Sequence, residues 1–92
     1  MDKQELVKNI KRSIRNYIRY TKKLNDKKYD KSMKQMFQMI FNLSAHNLKD
    51  FADNYTSVYL EVIEELKIQS QLDECILVNQ KKQKGANNVR AR

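Results

Sequence analysis

Apolar side chains recur every three or four residues along most of the chain, which is the period of an amphipathic α-helix and not of a strand. The first such segment predicts a helix from Lys3 to Leu24. Asp2 and Glu5 have the spacing of an N-terminal capping box, and Asn25 is suited to end the helix. The apolar side consists of Leu6, Val7, Ile10, Ile14, Tyr17, Ile18 and Leu24. We expect this side to face the core.

A second stripe of the same period predicts a helix that begins between Lys27 and Lys31 and ends near Phe51. Its predicted N-cap is Asp26 or Asp30. The stripe contains Tyr29, Met33, Met36, Phe37, Ile40, Phe41, Ser44, Leu48 and Phe51. Its methionines, with Met39, allow two interpretations. Their spacing favours ordinary core packing, and the alternative is an adaptable groove for a partner.

The third predicted helix follows a corner at residues 53–55 and is capped by Asp53, Thr56 or Ser57. Its apolar residues are Val58, Tyr59, Val62, Ile63 and Leu66. A second helical set is rotated from the first and contains Ile68, Leu72, Cys75, Ile76 and Asn79. The helix is therefore either kinked near residues 69–70, which we favour, or split into a fourth helix capped by Ser70 and Asp73. The second set either closes the bundle or pairs with a second copy in a homodimer.

Composition supports an all-α fold. The chain has 92 residues, no proline and a single glycine, Gly85, so the turn residues that tight hairpins require are missing. We predict one domain, a small antiparallel bundle of three long helices, over residues 1–80. Residues 81–92 contain five basic residues and no acidic one, which predicts a disordered basic tail.

Positive charge is concentrated at the two ends of a chain whose net charge is +8. Residues 1–28 carry ten basic and three acidic residues, whereas residues 49–80 carry two basic and seven acidic ones. Between Glu5 and Asp26 there are seven basic residues and no acidic one. An acid-free basic helix face is typical of a surface that binds a polyanion.

The leading hypothesis is a cytoplasmic, nucleic-acid-associated accessory or regulatory protein that contacts DNA or RNA phosphates. Because the basic face is uniform, it favours backbone contact over base-specific contact. Asn9, Asn16 and Tyr20 lie at its border, where Tyr20 either stacks on a base or covers the edge of the core. The predicted binding residues are Lys8, Lys11, Arg12, Arg15, Arg19, Lys22, Lys23, Lys81, Lys82, Lys84, Arg90 and Arg92. The competing interpretation is a solvated face partly paired with Glu61, Glu64 and Glu65.

Enzymatic chemistry finds little support in the sequence. His46 is the only histidine and Cys75 the only cysteine, and they fall on different predicted helices. We expect no catalytic site, no metal site, no cofactor and no transmembrane segment. His46 is expected at the solvent edge and Cys75 in the core.

Two further functions remain as alternatives. The first is a protein-binding inhibitor or adaptor that docks on an acidic surface of a larger partner. The second comes from a resemblance: in size, charge and predicted helicity the chain is similar to small basic helical bundles of the bacteriocin-immunity kind. That resemblance implies a membrane-proximal protein.

Overall fold

The computed structural model describes residues 2–80 with their side chains and consists of α-helices joined by short corners. The helices are α1 (Lys3–Leu24), α2 (Lys31–Asn54), α3 (Thr56–Leu66) and α4 (Gln69–Ala91). The predicted all-α bundle is confirmed, and the third predicted helix is split into two, α3 and α4. Helix α4 includes residues 81–91 of the predicted tail, whose side chains lie outside those that the structure describes, and the disorder of residues 81–92 stays a prediction.

Helix α1 has the bounds that the sequence predicts. The side chain of Asp2 accepts a hydrogen bond from the backbone N–H of Glu5 at 2.8 Å, which satisfies one of the free donors of the first turn. Lys22 and Lys23 lie in the last turn, where positive charge interacts favourably with the helix dipole. The helix ends where the backbone N–H of Asn25 donates to the carbonyl of Lys22 and that of Asp26 donates to the carbonyl of Lys23, each at 3.2 Å.

The core is built around α1, which packs against each of the other three helices. Tyr17 stacks on Phe41 with ring centroids 5.2 Å apart, and its hydroxyl accepts a hydrogen bond from Asn79 at 3.0 Å. Tyr17 therefore joins α2 and α4 to the central helix. The buried apolar residues are Leu6, Ile10, Ile14, Tyr17, Leu48, Val62, Ile63, Leu72 and Cys75.

Helix α2 buries less of its apolar stripe than the sequence suggests. Asp30, one of the two predicted N-caps, caps the helix: its side chain accepts a hydrogen bond from the backbone N–H of Met33. The interpretation of Met33 and Met36 as core residues is wrong, because both are exposed. Only Ser44 and Leu48 are buried on this helix. Helix α2 packs on α1 and α3 along one edge of its wide stripe, so the remainder stays uncovered.

The corner between α2 and α3 is a single residue. Asp53 and Asn54 still belong to α2, and Tyr55 follows it directly. The predicted caps of α3 are wrong, because the N-cap is Tyr55 and makes no side-chain cap hydrogen bond. The hydroxyl of Thr56 instead donates to the carbonyl of Ala52 at 2.6 Å. Thr56 is the first residue inside α3 and not its N-cap, and its hydroxyl ties the start of α3 to the last turns of α2.

The break between α3 and α4 occurs at Lys67, which has a φ of 53° in the left-handed region. The favoured prediction of one kinked helix is wrong, and the alternative of a fourth helix is correct. The predicted cap is misplaced, however, because Ser70 lies inside α4 and Asp73 accepts a hydrogen bond from Gln69 at 2.9 Å.

Most of the apolar residues around the start of α4, the second set described above, pack into the core of the bundle. Leu72 and Cys75 are buried, and Ile68 packs against the core, whereas Ile76 is exposed. Three of the four apolar residues in this set are thus already used within one chain. The homodimer stays a prediction.

Alkaline solution is expected to destabilise this core. Burial raises the pKa of Cys75 above its ordinary 9.0 and the pKa of both Tyr17 and Tyr59 above their ordinary 10.0. At high pH the unfolded chain loses protons that the folded chain still holds. The stabilisation is therefore complete below about pH 9 and is lost as the pH rises through the folded-state pKa values.

Urea unfolding at a series of pH values measures this effect. We expect the free energy of unfolding to fall steadily above about pH 9, and the fall to be shallower in Tyr59→Phe, which removes one titrating hydroxyl. A free energy of unfolding that is constant or rises over this range contradicts the account.

Candidate functional site

Five basic residues of α1 form a straight line on its solvent side. They are separated by four, three, four and three residues, and this average of 3.5 keeps them on one side of the helix. All five are exposed. At 1.5 Å per residue the line is about 21 Å long. We call this line the cation row, and its members are Lys8, Arg12, Arg15, Arg19 and Lys22.

The cation row is not neutralised by the rest of the described structure. Within residues 2–80, none of its members makes an ion pair. Four of them, together with Lys11 and Asn16, border one shallow surface depression of about 390 Å³. The cation row therefore directs a positive field into solvent along α1, and no carboxylate of the described residues pairs directly with its members.

The acidic side of α3 pairs with only one of the seven basic residues predicted as the binding face. Lys11 contacts Glu65 with 3.2 Å between Nζ and the carboxylate, at the border between α1 and α3. Glu61 pairs instead with Lys3 at 3.4 Å. The interpretation of the basic face as paired with α3 is therefore correct for Lys11 alone.

Lys23 is also separated from the row, because it turns toward α2. Its ammonium lies 5.0 Å from the ring centroid of Tyr29 and 5.1 Å from that of Phe37. The Tyr29 hydroxyl accepts a hydrogen bond from it at 3.3 Å. Cation–π contacts of this kind hold the charge at the end of the bundle.

Tyr20 belongs to the same aromatic cluster. Its ring packs on Phe37 with centroids 5.6 Å apart, and it is half-buried. Of the two interpretations of this residue, the structure favours the edge of the core over a platform for a nucleobase.

A groove between α1 and α2 lies beside the cation row. Arg12 and Asn16 border both the groove and the row, so they form a shared wall between the two. The groove has a volume of about 370 Å³, within the range of about 300–1,000 Å³ of small-molecule sites. Its lining residues are Asn9, Arg12, Ser13, Asn16, Ile40, Leu43, Ser44, Asn47 and Phe51.

Sequence reasoning missed the α2 wall of this groove. The apolar pattern predicts Ile40 as a core residue and predicts no role for Leu43 or Asn47. The signal was the position of Leu43 and Asn47 three and seven residues after Ile40, which places all three on one side of α2.

The groove continues into an apolar ledge on α2. Met36 is 64% exposed, Met39 is 74% exposed and Leu43 is 62% exposed. Apolar side chains one turn apart on a helix form a continuous strip, and contiguous exposed strips mark interaction surfaces more often than scattered residues do. We refer to Met36, Met39 and Leu43 as the α2 ledge.

The two residues considered for catalysis lie on different helices, His46 on α2 and Cys75 on α4. His46 is exposed on α2, as predicted. Cys75 is buried beside Thr21 and Lys22, and the burial raises the pKa of its thiol more than those two neighbours lower it. Among the described residues, no cluster of His, Cys, Asp and Glu is arranged to hold a metal ion.

The structure bears differently on the predicted basic tail and on the predicted absence of a transmembrane segment. The tail residues Lys81, Lys82, Lys84, Arg90 and Arg92 lie outside the described side chains. In the described part of the chain, no helix is both long and apolar enough to span a bilayer.

Comparison with known proteins adds no relative. No protein-family model, curated protein or solved structure matches this chain.

Proposed function

We propose that this chain is a non-enzymatic nucleic-acid-associated protein of an accessory or regulatory kind, which binds phosphates of DNA or RNA through the cation row. The supporting observation is the row itself: five exposed cations on one straight line with no ion pair to any described residue. Each phosphate that such a cation neutralises releases a condensed counterion, and this release drives binding.

The length of the row suits a phosphate backbone. About 21 Å of helix equals the axial length of about six phosphates in one strand of B-form DNA. The flexible side chains of arginine and lysine adapt to small differences in spacing, so the row favours no particular sequence. The basic residues at 81–92 would add contacts beyond the bundle.

Membrane attachment through α1 is disfavoured. An interfacial helix inserts its apolar side into the lipid. In this fold the apolar side of α1 is committed to the core, where Ile10 and Ile14 are among the most deeply buried residues. Only the charged side of this helix is therefore available to contact a lipid membrane.

The α2 ledge favours a second candidate function, an inhibitor or adaptor that binds a protein with an acidic surface. Leu43 of the ledge lines the same groove as Arg12 of the cation row, and this combination suits an acidic partner with apolar residues at its contact. Light scattering of a nuclease-treated mixture with a candidate partner separates the two functions. A stoichiometric complex that survives nuclease supports the adaptor.

Fluorescence anisotropy of labelled oligonucleotides tests the leading proposal. We expect the full-length chain to bind single-stranded DNA, RNA and duplex DNA at low salt. The absence of binding to all of them at low salt overturns the proposal.

A further inference from the structure

The groove between α1 and α2 shares part of its wall with the middle of the cation row, whereas a smaller pocket between α1 and α4 borders only the last row residue, Lys22. Arg12 and Asn16 contribute to both surfaces. A polymer whose phosphates lie along the row therefore passes directly beside the groove opening. Whatever side group such a polymer carries at that point is within reach of the groove.

We propose that this groove holds an unpaired nucleobase of a single-stranded nucleic acid whose phosphates lie on the cation row. The inference rests on the proposed function and deepens it, because it names the single strand as the preferred partner. In this arrangement the cation row binds the phosphates and the groove binds the base.

The lining of the groove suits the two kinds of surface that a nucleobase presents. Ile40, Leu43 and Phe51 provide apolar area for the flat face of the base. Asn16 and Asn47 provide side-chain amides, which both donate and accept hydrogen bonds at base edges. The hydroxyl of Ser44 donates to the carbonyl of Ile40 at 2.9 Å, so toward a base it has only acceptor capacity left.

Duplex nucleic acid cannot use the groove in this way. Bases in a duplex are paired and stacked inside the helix, and extruding one has a free-energy cost. Bases of a single strand are free to turn away from the phosphates and enter a pocket. Because amides accept several edge patterns and the apolar walls contact any flat ring, we expect little preference among the four bases.

The test compares two strands that carry the same phosphates. The probes are a labelled thymidine oligonucleotide and an abasic oligonucleotide of the same length, titrated with the full-length chain at one salt concentration. We expect the thymidine strand to bind about tenfold more tightly than the abasic strand. Equal affinities for the two strands overturn the inference while leaving the proposed function standing.

A double variant tests whether the groove is the source of the preference for the thymidine strand. Leu43→Ser with Asn47→Ala changes an exposed side chain and a half-buried one on α2, and circular dichroism verifies that the fold is kept. We expect this variant to bind the two strands with equal affinity and to retain the wild-type affinity for the abasic strand. Met39→Ser, on the ledge but outside the groove, is the matched control and should keep the tenfold preference.

The outcomes separate this inference from the function on which it rests. A preference that survives in the double variant contradicts the groove as the base site. Failure of the wild-type chain to bind either strand at low salt overturns this inference, and it overturns the proposed function as well only when RNA and duplex DNA also fail to bind.

Discussion

Reversing Arg12, Arg15 and Arg19 to glutamate is expected to lower nucleic-acid affinity by about 100-fold or more at low salt. Each lost phosphate contact removes the counterion release associated with it, and each new carboxylate repels the backbone. All three arginines are exposed and make no ion pair with a described residue, so the fold should be kept. Anisotropy titration measures the affinity, and circular dichroism verifies the helical content.

A control with the same change in net charge makes this result specific. Lys31, Lys34 and Lys67 lie outside α1, and their reversal to glutamate alters the total charge equally. We expect a much smaller loss of affinity, because only the overall attraction changes and not the row. Equal losses in the two triple variants contradict a localised binding surface.

Truncating Ile10 to alanine is expected to destabilise the fold by about 2–5 kcal/mol. Ile10 is 0% exposed and lies on the helix that contacts the three others, so the cavity left behind has little freedom to collapse. Small domains unfold with only about 5–15 kcal/mol in total, so the loss is a large fraction of the stability. Urea denaturation followed by circular dichroism measures it.

Leu60→Ala provides the comparison for this truncation. Leu60 is 55% exposed on α3, and its truncation should change the free energy of unfolding by less than about 1 kcal/mol. If Ile10→Ala changes the stability as little as Leu60→Ala does, α1 is not the centre of the core.

Local signals were sufficient for α1 and insufficient for the break between α3 and α4. Asp2, Asn25 and the spacing of the apolar residues act within one or two turns, so they predict the bounds of α1 from the sequence alone. The break at Lys67 carries no such signal, because lysine is not a residue that favours the left-handed conformation. The break is set by tertiary packing, which brings Val62 and Leu72 into the same core.

The exposed methionines of α2 show a second limit of pattern reasoning. A stripe with helical period shows which side of a helix is apolar, but not how much of that side its neighbours cover. Coverage depends on where the other helices lie. In this fold α2 contacts α1 and α3 along one edge, so Met36 and Met39 stay exposed.

The candidate site was partly predictable for a similar reason. The charges on α1 follow from the residue spacing alone, and all five members of the cation row were predicted. The pairing of Lys11 with Glu65 and the aromatic contacts of Lys23 join residues from different helices, which spacing within one helix does not show. The groove likewise exists only where α1 and α2 meet.

The salt dependence of binding tests most directly whether the cation row neutralises phosphates. The logarithm of the binding constant for a single strand should fall linearly with the logarithm of salt concentration, by about 0.7 for each phosphate neutralised. Changing all five row residues to glutamine should therefore reduce the slope by up to about 3.5. The same slope and affinity in the wild-type chain and in this variant would contradict the account.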